Sequence, residues 1–163
     1  MPDPLLPINT ILSRLAEYPQ RIHAVTADLS EAKLHTHPAP DEWSANDVLA
    51  HVRACADVWG SYIARILSED RPAIKAVSPR RYIDQTDYLE QEFKPSLQAF
   101  TAQRAKLLEV LQALAPEGWE RQAIVTGVGK PIVRTVHTYS DRLTRHEREH
   151  VHQIEQIVEA LRS

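Results

Sequence analysis

Cysteine is almost absent from this sequence, which has one among 163 residues, and glycine is scarce, with four. A single cysteine excludes an intrachain disulfide framework and suits a reducing compartment, so we expect a cytoplasmic protein. No apolar run is long enough to cross a membrane, and the N-terminus lacks the basic segment that begins a signal peptide. There is no excess of positive charge either, because the net charge is −3, which argues against a nucleic-acid-binding groove.

Apolar residues recur at helical spacing in four stretches, and no stretch shows the sustained alternation of a β-strand. We predict helices over about residues 8–30, 44–71, 86–114 and 131–161. Four long amphipathic helices indicate an all-α fold, a four-helix bundle that forms a single domain over residues 1–163. We expect each connection to span roughly a dozen residues, which allows long crossover connections as well as a simple up-and-down order.

Capping residues and prolines mark the predicted helix boundaries. Ser44, with Asp47 three residues later, predicts a capping box at the start of the second helix. Pro19 predicts a kink or a restart in the first helix, and Pro95 predicts a kink or the true start of the third. Pro131 suits the first turn of the fourth helix, because the backbone N–H that proline lacks would have no partner there.

The fourth helix carries two histidines where core residues are expected. Residues 145–153 read RHEREHVHQ, so His146, Glu147 and His150 fit the H-E-x-x-H motif of zinc proteases. His146 and His150 lie one turn apart and continue the apolar stripe of the helix. Burying two unpartnered rings would cost roughly 1–3 kcal/mol each, so hydrogen bonds or a metal must compensate. A stacked pair favours a metal, since neutral imidazole binds zinc, nickel and iron(II).

Two histidines are too few for a metal enzyme, because zinc enzymes usually supply three ligands and leave one position for water. His51, on the flank of the second helix's stripe, is the best third ligand. Cys55 shares its face one turn later and is an alternative ligand, although a lone core cysteine is more often simply packed. The remaining histidines face away from this stripe or lie outside the helices: His23, His35, His37, His137 and His152.

A zinc protease is the first alternative raised by the motif, with Glu147 as its general base. The extended protease motif has glycine and histidine at the positions of Gln153 and Gln156. A protease also needs a sheet edge that aligns its peptide substrate, and no strand is predicted. We therefore favour a different metal site.

Four segments together resemble the DinB/YfiT-like superfamily: DEWSANDVLAHV, AFTAQRAKLLEVL, EGWERQ and HEREHVHQIEQI. The resemblance covers about residues 10–160, and its strongest elements are Trp-Ser followed by histidine and H-x-x-x-H-x-x-Q-I. It implies that His51, His146 and His150 bind a divalent metal, and Gln153 matches the glutamine that follows in the family. It also implies a four-helix bundle with a long crossover, a homodimer, and a small-molecule substrate.

The resemblance implies a metal-dependent hydrolase in which zinc or nickel on three histidines activates water. A transferase or isomerase that uses a low-molecular-weight thiol is a second hypothesis, and a non-catalytic metal-binding or oligomerising bundle is a third. A bundle without metal also stays open. Gln153 could orient a ligand at the metal's open side. Arg104 lies on an apolar stripe and needs an anionic substrate or a carboxylate such as Glu147 or Glu149, so we include Arg104 and Glu147 among the catalytic candidates.

Overall fold

The computed structural model describes residues 3–162 and contains four long helices. These are α1 (Ile8–Thr26), α3 (Ala45–Ser68), α5 (Phe93–Gln112) and α7 (Val136–Arg162). The connections hold the short helices α2 (Glu31–Leu34), α4 (Pro79–Ile83) and α6 (Pro116–Trp119), and the strands β1 (Ala73–Lys75), β2 (Gln122–Thr126) and β3 (Ile132–Thr135). The predicted four-helix bundle is confirmed. None of the helices formed by residues 3–162 combines the length and apolar character that a membrane crossing requires.

The order of helices around the bundle differs from their order in the chain. Helix α1 packs mainly against α5 and α7, and α3 packs against the same two helices. The consecutive helices α1 and α3 are therefore diagonal partners, as are α5 and α7. Residues 27–44 and 113–135 must cross an end of the bundle to make these connections. Residues 69–92 join the neighbouring helices α3 and α5, and all three connections are longer than the predicted dozen residues. The long crossover is thus built into the packing.

Helix α3 begins at the predicted capping box. The Asp47 amide donates to Ser44 Oγ at 3.0 Å, and the Ser44 amide donates to Asp47 Oδ2 at the same distance. Two amides that a helix end would otherwise leave unpaired are therefore satisfied. The stripe of α3 faces the core, with these members buried: Val48, Val52, Cys55, Tyr62 and Ile66. The cap and the stripe together fix the start and the rotation of the helix that carries His51.

The all-α class holds, and a small three-stranded sheet forms in the connections, where no strand was predicted. Strand β2 pairs parallel to β1 and antiparallel to β3. The β2–β3 turn contains Gly127 and Gly129, whose φ angles of +92° and +86° suit glycine. The predicted helix start at Pro131 was wrong, because the β-branched residues that follow it form β3, and α7 begins at Val136. The alternation in β2 spans only five residues, too few for the sequence pattern to stand out.

Two other helix boundaries also differ from the prediction. Helix α1 runs through Pro19 without the restart considered from the sequence, and it ends at Thr26. Helix α5 begins at Phe93, so Pro95 lies in its first turn, where its missing N–H leaves no helical hydrogen bond unmade. Pro95 therefore marks the true start of the third long helix.

Candidate metal centre

Helices α3 and α7 pack against each other and bring three distant histidines together. His51 Nε2 lies 3.0 Å from His146 Nε2, and His150 Nε2 lies 3.1 Å from the same atom. Two nitrogens about 2.1 Å from one zinc ion, at angles of about 90–110°, are about 3.0–3.4 Å apart. The spacing of each pair therefore suits ligands of a shared first-row metal ion.

Cys55 lies against the same histidines. Its Sγ atom is 3.7 Å from both His51 Nε2 and His146 Nε2. The ligand atoms of His51, Cys55 and His146 all lie within 4.8 Å of one another, a set that could hold a metal ion. His150 joins this set through its contact with His146. The site thus offers four candidate ligands, three of them the histidines singled out from the sequence and the fourth the alternative, Cys55.

Burial sets the charges of these groups. It lowers the pKa of His146 to about 3 and that of His51 to about 4, with the neighbouring His150 adding to both shifts. Burial also raises the pKa of the Cys55 thiol to about 12. At neutral pH the two imidazoles are therefore uncharged and can offer lone pairs, while the cysteine keeps its proton.

His146 Nε2 cannot form hydrogen bonds with both His51 Nε2 and His150 Nε2 at the same time. His150 Nδ1 donates to Gln153 Oε1 at 2.9 Å, which leaves a lone pair on His150 Nε2. A hydrogen on His146 Nε2 can be directed at His150 or at His51, and the other contact then lacks a hydrogen bond. His146 Nδ1, the other nitrogen of this ring, is buried without a partner in residues 3–162. A cation that accepts a lone pair from the Nε2 atom of each ring would remove the conflict at His146 Nε2, so the donor set fits a divalent metal.

Tryptophans and two clefts surround the histidines. Trp43 stacks on His150 with ring centroids 6.4 Å apart, and the Trp59 ring meets His146 edge-on at 5.0 Å. The larger cleft, about 1250 Å³, reaches His146 from the side of the sheet. A smaller cleft of about 580 Å³ reaches His150 from the loop that carries Trp43. The site is therefore screened by aromatic rings and open to small molecules.

The fold and this site permit a comparison with known proteins. The family model of the DinB superfamily matches residues 14–154, most of the chain. The chain belongs to the DinB superfamily. Its fold also matches YfiT from Bacillus subtilis, described as a probable metal-dependent hydrolase with an unusual four-helix bundle topology. The TM-score is 0.80 at 15% identity, over 96% of this chain and 90% of that one, so the likeness shows a shared fold. No curated protein matched the sequence.

The other catalytic candidates of this DinB superfamily chain have clear partners. Arg104 on α5 donates to both carboxylate oxygens of Glu147 and to the carbonyl oxygen of Leu15. Burial raises the pKa of Glu147, and the Arg104 guanidinium offsets part of that shift. The contacts match the ion pair considered from the sequence, and a catalytic role for either residue stays a prediction. Gln153 contacts His150, so it holds that ring in place, and its role at the metal's open side also stays a prediction.

Histidines outside the cluster have ordinary surroundings. His137 Nε2 lies 2.8 Å from the carbonyl oxygen of Leu6, and His152 is exposed on α7. Two residues near the centre were missed from the sequence, Trp59 and Arg142, and Trp43 was noted only as part of the Trp-Ser element of the family resemblance. Trp59 and Arg142 could have been found, because each lies one turn from a candidate ligand, Cys55 or His146. Trp43 precedes the helix cap, and no helical periodicity reaches it.

Proposed function

We propose that this chain is a metal-dependent hydrolase of small molecules, with His51, His146 and His150 as the ligands of zinc or nickel. The observation that carries the proposal is the position of His146 Nε2, within 3.1 Å of a nitrogen from each of the other two rings. Membership of the DinB superfamily and the fold shared with a probable metal-dependent hydrolase support the same conclusion.

The charge balance of the site favours hydrolysis. Three neutral imidazoles leave the full charge of a divalent cation uncompensated, because the ligand set found among residues 3–162 contains no carboxylate. Such a cation polarises a substrate's carbonyl or phosphoryl oxygen and lowers the pKa of water toward about 7. The protein's own contribution is to keep the lone pairs of His51 and His146 free of protons at neutral pH.

Neighbouring side chains hold the ligands in place. Gln153 Oε1 accepts from His150 Nδ1, which fixes the tautomer and directs Nε2 toward His146. Trp43 packs against His150 and Trp59 packs against His146, and together they limit the water around the cluster. The two clefts leave room for a substrate on either side of the histidines. This arrangement suits a catalytic metal site, which keeps a position open.

A second function is favoured by one observation, the position of Cys55. Its Sγ atom is 3.7 Å from two of the candidate ligands, close enough for a small shift to make it a fourth ligand. A closed site with three histidines and one cysteine would be a structural or metal-storing centre. Metal binding would then release the thiol proton, because the metal holds the cysteine as a thiolate and the metal-free thiol is protonated at neutral pH.

Removal and return of the metal tests the proposed function. Protein stripped by a chelator and reloaded with zinc or nickel should hydrolyse members of a panel of small carboxylic esters, amides and phosphate esters. The Cys55→Ser variant should keep both the metal and the activity. Loss of bound metal in Cys55→Ser would favour the closed site, and a reloaded protein no faster than the free metal ion would contradict the hydrolase.

A further inference from the structure

The cleft on the sheet side of His146 is lined by positively charged side chains. The chain as a whole has a net charge of −3. Yet no aspartate or glutamate is found among the residues from 3–162 that line this cleft, and five of its lining residues are basic. They are Lys75, Arg81, Lys130, Arg134 and Arg142. We call this the basic cleft.

The register of the sheet turns Arg134 toward the interior. Arg134 on β3 lies opposite Ala123 on β2, and side chains opposite each other share one face of a sheet. Ala123 is fully buried, so that face packs against the bundle, and Arg134 itself is only partly exposed. A cation on the inward face of a sheet loses some of its hydration, which an anion in the cleft would replace.

Arg142 connects the basic cleft to the metal centre. It lies one turn before His146 on α7, and its guanidinium carbon is 5.6 Å from the centroid of the Trp59 ring. The His146 ring is 5.0 Å from the same Trp59 ring. A negative group bound at Arg142 would therefore lie close to the candidate metal.

Within residues 3–162, the basic residues of the cleft have no carboxylate partner. The ion pairs found among these residues involve other side chains, and none of the five forms a side-chain hydrogen bond with another group in the same range. By contrast, several arginines elsewhere are paired, including Arg104 and Arg145. Like charges gathered without counter-charges repel each other, and a bound anion would relieve that repulsion.

We infer that the substrate is a small molecule with a carboxylate or phosphate group, which Arg134 and Arg142 bind next to the bond that is attacked. The inference rests on the proposed function, since it assigns the substrate class of the same site. Arginine presents paired N–H donors that match either oxyanion. Lys75, Arg81 and Lys130 are exposed and attract the anion toward the cleft. At about 1250 Å³ the cleft suits a metabolite-sized ligand better than a polymer.

Binding of simple anions to metal-free protein tests the inference without relying on hydrolysis. Inorganic phosphate, succinate and the neutral succinamide would be titrated at low ionic strength, with NMR signals of the arginine side chains as the readout. We expect saturable shifts of the Arg134 and Arg142 signals with one or both anions and none with succinamide. A preference for succinate or for phosphate identifies the carboxylate or the phosphate class.

Matched variants separate a specific site from general charge. Arg134→Gln and Arg142→Gln should each weaken anion binding about tenfold or more. Arg148→Gln is the control, because Arg148 is an exposed residue of the same helix outside the basic cleft. No saturable binding, equal weakening by Arg148→Gln, or displacement of phosphate by a tighter-binding single-stranded oligonucleotide would overturn the inference.

Kinetics distinguish failure of this inference from failure of the proposed function. An active hydrolase with equal kcat/KM for a neutral ester and its carboxylated counterpart would overturn the anionic substrate class and leave hydrolysis standing. Specific anion binding in a protein without hydrolytic activity would support the basic cleft as a ligand site. It would contradict only the proposed hydrolase function. In an enzyme that prefers the anionic substrate, Arg142→Gln should lower kcat/KM for the carboxylated ester relative to kcat/KM for the neutral ester.

Discussion

Arg104 and Glu147 join two diagonally opposite helices through a two-pronged ion pair at the centre of the bundle. Arg104 is 2% exposed and Glu147 is fully buried. The pair lies one residue along the chain from His146, so it fixes the position of α7 at the turn where the candidate metal centre lies.

Removal of one partner of this pair should be costly. Arg104→Met would leave the Glu147 carboxylate buried without its partner, and we expect a loss of about 3–5 kcal/mol in the free energy of unfolding. The double variant Arg104→Met/Glu147→Gln should recover part of the loss, because no buried charge remains. Arg65→Met is the matched control, since Arg65 pairs with Glu69 at the surface, where solvent screens the charges, and its loss should change the free energy of unfolding far less.

Urea unfolding followed by circular dichroism measures these differences. An Arg104→Met protein as stable as the parent would show that the buried pair is not needed to hold α5 and α7 together.

Glu147→Gln distinguishes the bundle enzyme from a zinc protease. The glutamine oxygen can still accept from Arg104, so we expect the variant to fold and to bind metal as the parent does. The side chain is engaged with Arg104 rather than with the histidines, so no peptidase activity is expected in the parent protein. A fluorogenic peptide assay checks this. Peptide cleavage by the parent that disappears in Glu147→Gln, with metal still bound, would restore the protease interpretation.

Substitution of other histidines tests which rings hold the metal. His51→Ala should weaken metal binding by more than about 100-fold, because substitutions of residues that only support ligands already cost 10–100-fold. His137→Ala and His152→Ala should bind as the parent does, since their rings lie outside the cluster. Competition with a metal indicator gives the affinities, and far-ultraviolet circular dichroism checks folding. Equal losses in all three variants would contradict the assignment of His51.

The metal-free protein should lose stability as the pH falls below about 6.5. The folded-state pKa values of His146 and His51 are depressed to about 3 and about 4 from an ordinary 6.5. Between those values the unfolded chain binds more protons than the folded one, so acid favours unfolding and the stability returns as the pH rises. Urea unfolding at pH 7 and pH 5.5 measures the change.

His146→Leu should reduce that pH dependence by roughly half, because one of two similar contributions is removed. A parent protein whose unfolding free energy is the same at both pH values would contradict the depressed pKa values.

The histidine cluster was predictable from the sequence, and the basic cleft was not. His146 and His150 repeat one helical turn apart on an apolar stripe, and His51 lies beside another stripe, so helical geometry placed all three toward the core and the family resemblance grouped them in one site. Arg134 reaches the basic cleft only because β3 pairs with β2 in one particular register. Strands of three to five residues leave too short a pattern to recognise, and their pairing depends on segments far apart in the chain.

The partner of Arg104 in the buried ion pair also depends on helices that are far apart in the chain. From the sequence, Glu147 and Glu149 on α7 were equally good partners for Arg104. The structure selects Glu147 because α5 and α7 lie diagonally across the core, and only Glu147 of the two is buried. Chain order could not show that diagonal, since it follows from which helices the crossover connections make neighbours.

Metal content of the purified protein tests the central claim most directly. Elemental analysis of protein reloaded with zinc or nickel and then dialysed against metal-free buffer should find one divalent ion per chain in the parent. It should find essentially none in His146→Ala, whose folding circular dichroism would verify. A folded His146→Ala protein that retains one equivalent of metal, or a folded parent that binds none, would contradict the account.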